Sequence, residues 1–185
     1  MTNWNPNFIG QPWVNTGNFL APVAGLTFAT PVTTIAGIGT AVAYASGDAF
    51  GTVTLLQGLP TSGIIQSLIF FDLDNEGVAL ELWLFRDTYT ATADNAAWAL
   101  TDADLVKSEG IIKVATTDYV AGSSNQVGFR DAIAKSYIAP LGILYCQWVT
   151  RGAPNIAAAN IPQFALRIIP DAYNPNLIGF PKGVQ

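Results

Sequence analysis

Residues 78–85 read VALELWLF. In an extended chain successive side chains point to opposite faces. Val78, Leu80, Leu82 and Leu84 therefore share one face, and Ala79, Glu81, Trp83 and Phe85 share the other. A helix would scatter both sets around its circumference, so this octapeptide is a strand. The same period of two, with β-branched and aromatic enrichment, recurs at 52–56, 111–116, 143–149 (ILYCQWV) and 163–169 (QFALRII), and residues 64–71 (IIQSLIFF) form a strongly apolar run. Short strands separated by turn residues, with no long helix between them, predict an all-β body over residues 40–170, a jelly roll or β-sandwich. The chain of 185 residues is long enough to bury one core without disulfides, and Cys146 is its only cysteine.

One short helix is expected in ALTDADLVKS. Thr101 caps its N-terminus and Asp104 stands three residues on, at capping-box spacing. Asp102 and Asp104 suit the positive end of the helix dipole, and Lys107 the negative end. Residues 156–160, IAAAN, predict a second helical turn, kept short by Pro154 and Pro162. In amphipathic strands such as 78–85, a lone acid such as Glu81 reads as a solvent-facing residue.

The two ends differ from the body. Residues 1–39 and 171–185 are rich in Gly and Pro and show no sustained period. Residues 1–47 carry no charged side chain. Disordered tails are polar or charged, so these segments read as extended arms that press apolar anchors, among them Trp4, Phe8 and Trp13, into pockets on another surface. Both arms carry nearly one octapeptide: NPNFIGQP at 5–12 and NPNLIGFP at 174–181. Asn5, Pro6, Asn7, Ile9, Gly10 and Pro12 match Asn174, Pro175, Asn176, Ile178, Gly179 and Pro181. Trp4 and Tyr173 precede the two copies. Asn-Pro holds its Asn extended, an apolar pair follows (Phe8 and Ile9, or Leu177 and Ile178), Gly allows a bend and Pro stiffens the exit. Each copy reads as a hook with an apolar barb. The expected partner-binding residues are these, with Phe180.

Catalysis finds little material. The chain has no histidine, which removes Ser-His-Asp and Cys-His arrangements and His-containing zinc sites. It has neither a phosphate-binding glycine loop nor a basic run, so nucleotide and nucleic-acid binding are not expected. No stretch approaches the roughly 20 apolar residues of a membrane span. No cofactor is expected. FDLDNEG, residues 71–77, sets Asp72, Asp74 and Glu76 at alternate positions before Gly77. That is the first half of a calcium loop, but the twelfth position is Trp83 where a bidentate Glu belongs. The same residues equally make a turn between the strands at 64–71 and 78–85. Twelve of the thirteen acids lie between Asp48 and Asp131 with four basic residues, a formal charge of −8 that suggests an acidic patch.

Only 11% of the residues are charged, against about 25% in ordinary soluble proteins. A surface so poor in charge is best explained by cover from other protein. The residues ASGDAFGT, SGIIQSLIFFDLDNEGVALELWLF and TADNAAWALTDADLVKSEGIIKV, spanning about 45 to 116, resemble auxiliary capsid proteins of tailed bacteriophages, the cement or decoration proteins. The resemblance implies a β-sandwich or jelly-roll body without catalytic residues, often trimeric, seated on the outer shell. The expectations are then a structural virion protein at the capsid surface, made in the host cytoplasm. Its partners would be the major capsid protein and its own copies as a homotrimer. A carbohydrate- or receptor-binding β-sandwich of a phage fibre or tail stays open as the alternative.

Overall fold

The structure, a computed structural model, describes residues 27–40 and 42–171. Its strands in chain order are β1 (Phe28–Ala29), β2 (Thr33–Thr34), β3 (Ala49–Gln57), β4 (Ser62–Asp72), β5 (Leu80–Phe85), β6 (Ser108–Val114), β7 (Tyr119–Ala121), β8 (Gln126–Arg130), β9 (Lys135–Ile138), β10 (Ile143–Thr150) and β11 (Gln163–Pro170). They form two antiparallel sheets. In the larger, β1 and β2 lie end to end along β11, with Phe28 opposite Ile168 and Thr33 opposite Phe164. On the far side of β4, β8 and β9 also lie end to end, with Leu68 opposite Arg130 and Ile65 opposite Lys135. Short β7 pairs with β8. The smaller sheet runs β3-β10-β5-β6. With each end-to-end pair taken as one strand and short β7 set aside, eight positions wind in the order 1-8-3-6 and 2-7-4-5, the winding of a jelly roll.

Alternation decides what lies between the sheets. Leu80, Leu82 and Leu84 of β5 face Phe70 of β4 and Phe164, Leu166 and Ile168 of β11, all nearly fully buried. Trp148 of β10 sits at the centre, with Phe70 and Phe164 edge-on to its ring at 5.1 and 5.2 Å. Edge-to-face contacts match the electropositive rim of one ring to the electron-rich face of the next.

The opposite face of β5 and β10 is buried as well. Trp83 pairs with Trp98 at 5.4 Å, and Phe85 stacks on Tyr89 at 3.9 Å. Trp98 and Tyr89 belong to the segment 86–100, which lies over the smaller sheet. Gln147, fully buried on β10, fastens it. Its Nε2 donates to the Gly51 and Thr92 carbonyls at 2.8 and 2.6 Å, and its Oε1 accepts from the Tyr89 hydroxyl at 3.0 Å. Asp94 from the same segment accepts from the Gly51 and Gly39 amides at 2.6 and 2.8 Å and from the Tyr44 hydroxyl at 2.8 Å.

Three expectations change here. Glu81 does not face solvent; it is 7% exposed, because this face of the sheet is covered. Residues 156–160 form a turn, closed by the Asn160 amide on the Ala157 carbonyl at 2.9 Å, with no helix, since Pro154 and Pro162 bracket too few residues. Residues 28–34, read as the end of the N-terminal arm, carry the edge strands β1 and β2, which sequence could not show because they are two residues long. The helix forms where expected: α1 (Asp102–Leu105), with Thr101 Oγ1 accepting from the Asp104 amide at 3.1 Å.

Gln147→Leu removes three hydrogen bonds and leaves the buried Gly51 carbonyl and the part-buried Thr92 carbonyl without that donor. The expected cost is about 2–4 kcal/mol, read from the urea midpoint. A loss below about 0.5 kcal/mol contradicts this role.

Candidate interaction surface

The outer face of the larger sheet is built quite differently. Inward positions of β4, β8 and β11 are Phe70, Gly128, Phe164, Leu166 and Ile168, so their neighbours in sequence point out. The register then sets Val120 opposite Val127, Val127 opposite Phe71, and Phe71 opposite Gln163 in one row. Phe129, Ile69 and Ala165 form the next row, and Ile64 with Ile169 a third. Val120 is 66% exposed, Phe129 47% and Ile64 38%. Arg167 and Gln66 interrupt these rows, and no acid stands in them. Cross-strand apolar pairs are normal on a buried sheet face. Rows of this kind on an exposed face make it a candidate interaction surface.

Sequence reasoning missed these residues, although the signal was present. IIQSLIFF carries apolar groups at both parities, so one set must face away from the core. Residues 126–130, QVGFR, were too short and too close to Gly and Ser turns to read as a strand.

The predicted metal candidates sit in the turn between β4 and β5. Asp72 Oδ2 accepts from the Gly77 amide and from Gln126 Nε2, both at 2.8 Å, and Oδ1 accepts from the Asp74 amide at 3.2 Å. Asp74 accepts from Asn160 Nδ2 at 2.8 Å and from the Ala157 amide at 2.7 Å, which hold its carboxyl below the usual range. Burial pushes the Glu76 carboxyl upward; the Asn155 amide opposes this, and the charges of Asp74 and Asp72 add to it. Among the described residues no three metal-ligating side chains converge. The backbone has the turn's geometry: Asn75 and Gly77 take φ of 59° and 60°. Glycine suits the positive φ of position 77, and a Cβ there would meet Gln126 Nε2 at 2.8 Å and push it from its bond to Asp72.

The inferred acidic patch shrinks for the same reason. Asp72, Asp74, Glu81, Asp94 and Asp104 all turn toward internal donors, so the formal charge overstates what the surface carries. Glu81 reaches Arg151 Nη2 at 2.6 Å and Lys113 Nζ at 3.3 Å. Burial alone would raise its carboxyl, but bonds to Arg151 and Lys113 outweigh it and the net shift is downward.

Trp83, Trp98 and Trp148 are engaged with other rings inside the body. Trp4, Trp13 and both octapeptides, with every partner-binding residue predicted in them, lie outside the described residues. Among the described residues no helix is long and apolar enough to cross a membrane. Compared with known proteins, the sequence matches no protein-family model and no curated protein.

A carboxyl depressed by its partners adds stability above its ordinary value near 4.5 and loses it as pH falls through the lower folded value. Glu81→Gln should therefore cost about 1–3 kcal/mol at pH 7 and progressively less below pH 4.5. Glu76 has the opposite sign. Its raised carboxyl costs stability at neutral pH, so Glu76→Gln should stabilise at pH 7, and the gain should vanish in acid. Urea melts of both variants from pH 3 to 7 read the two slopes.

Proposed function

We propose that this chain is a structural virion protein, a cement or decoration protein of a bacteriophage head, that seats the outer face of its larger sheet on the capsid shell. The observation carrying this reading is the asymmetry of the sandwich. The smaller sheet has its outer face closed by the segment 86–100, while the larger sheet leaves Val120, Phe129 and Ile64 exposed in apolar rows. Such a face suits permanent interfaces, which are more hydrophobic than transient ones. Jelly rolls also recur in viral capsid and lectin domains, although a fold alone assigns no function. The resemblance over residues 45 to 116 points the same way.

The shell's repeated lattice supplies the affinity. Each copy needs only modest contacts, because neighbouring subunits and terminal arms add by avidity. The major capsid protein is the partner, and a homotrimer presents three such faces together. A carbohydrate-binding role is less favoured: the three tryptophans of the body pack against other rings, and the exposed Phe129 stands in a row with aliphatic Ile69 and Ala165.

Co-sedimentation with phage heads lacking the protein tests the reading. Wild-type chain should pellet with the particles. Phe129→Asp, at an exposed position that leaves the core intact, should weaken binding at least about tenfold, the size of about 1.4 kcal/mol. A soluble monomer that ignores such particles and is retained on a glycan column would overturn the proposal.

A further inference from the structure

Among the described residues, Arg86, Lys107, Lys113, Arg130 and Arg151 each pair with a carboxylate. The Lys135 amine lies against Gly110 of β6, in the other sheet: a Cβ on Gly110 would meet its Nζ at 2.8 Å. Arg167 is left. It is exposed on β11, and among the described residues it forms no ion pair.

Its place is the outer face of the larger sheet. Ala165 and Ile169 precede and follow it on the same side of β11. Arg167 therefore stands between the row of Phe129, Ile69 and Ala165 and the row of Ile64 and Ile169. Its cross-strand neighbours, Ala29 and Ser67, are uncharged. Asp131 and Asp171, the acids that follow β8 and β11, do not pair with it.

The backbone is irregular at the same level. The register of β11 on β4 shifts between Arg167 and Ile168, with Gln66 the extra residue. Across β4, the Ile133 amide donates to the Gln66 carbonyl at 2.9 Å, and Ala132 and Ala134 take φ of 53° and 50°. Such values are strained for alanine. Bulges re-aim side chains and recur beside functional sites.

We propose that Arg167 is the specificity-determining residue of this face, and that its counterpart is one Asp or Glu side chain of the shell protein, set in an otherwise apolar patch. The inference rests on the reading that the larger sheet seats on the shell. Seating takes the guanidinium out of water, and a charge so desolvated is costly unless it is paired. Arg167 has no anion of its own, so the partner supplies one. Guanidinium stays charged and grips a carboxylate through two parallel N–H···O bonds. The pair also gives register. Apolar contact is non-directional, so rows of Val, Ile and Phe alone would bind nearly as well when shifted along the sheet. One ion pair among them fixes a single position.

The test compares full-length wild type with Arg167→Met, similar in length and uncharged, in co-sedimentation with heads lacking the protein. Loss of the arginine leaves the shell's carboxylate buried and unpaired, so binding should weaken at least about thirtyfold. Were Arg167 only an interruption in an apolar face, Arg167→Met would bind as tightly or more tightly, and that result overturns the proposal. A second variant reads the pairing without relying on affinity. With Arg167→Lys bound to the heads, a carbodiimide should join the new amine to an Asp or Glu of the shell protein, located by mass spectrometry. The yield should be many times that of Val106→Lys, a control site just past α1 that is 70% exposed. Equal yields at 167 and 106, or a link from 167 to another copy of this chain, would overturn the proposal. Wild type that ignores the heads removes the shell reading and this inference together. Wild type that binds, is weakened by Phe129→Asp and is unaffected by Arg167→Met removes this inference alone.

Discussion

Strand β10 has no free face, and the rest of the body follows from that. On one side Trp148 enters the space between the sheets and meets Phe70 and Phe164. On the other, the adjacent Gln147 turns outward but stays fully buried. A buried amide must find partners or cost the free energy of its lost hydration. It finds them in the Gly51 and Thr92 carbonyls and the Tyr89 hydroxyl. Holding Gln147 dry therefore requires the segment 86–100 to lie over the smaller sheet. That segment brings Trp98 and Tyr89 onto Trp83 and Phe85, and Asp94 onto the amides of Gly39 and Gly51.

The same economy of charge runs through the molecule. With so few ionisable side chains, the acids are used as internal ties. Asp72 closes the β4–β5 turn and reaches Gln126; Asp74 anchors the turn near Asn160; Asp104 caps α1 through Thr101 and holds Lys107. Carboxylates so engaged leave the surface poorer in charge than the composition alone suggests. The outer face of the larger sheet, with its rows of Val, Phe and Ile, is where that poverty is greatest. The two sheets thus differ in their outer faces: the smaller is covered by the segment 86–100, while the larger carries exposed Val120, Phe129 and Ile64.

Much of the fold was legible because alternation is a local property. The six strands at 52–56, 64–71, 78–85, 111–116, 143–149 and 163–169 all exist, and Thr101 caps α1 as its spacing with Asp104 predicts. What escaped reading depends on tertiary contact. Strands β1, β2, β7 and β9 are two to four residues long and exist only because β11, β8 and β4 offer them edges. Glu81 is an ordinary outward residue by pattern; only the covering segment, with Arg151 and Lys113, makes it a buried anion. The apolar outer rows combine residues from four separate strands, and no local pattern in the sequence brings them together.

Hydroxyl-radical footprinting of the protein, free and bound to phage heads, tests the central claim most directly. Binding through the larger sheet should suppress oxidation of Phe129 and Phe71 while leaving Tyr89 and Trp98, under the opposite face, unchanged. Protection of Tyr89 and Trp98 with Phe129 still reactive would contradict the account and place the docking face on the smaller sheet.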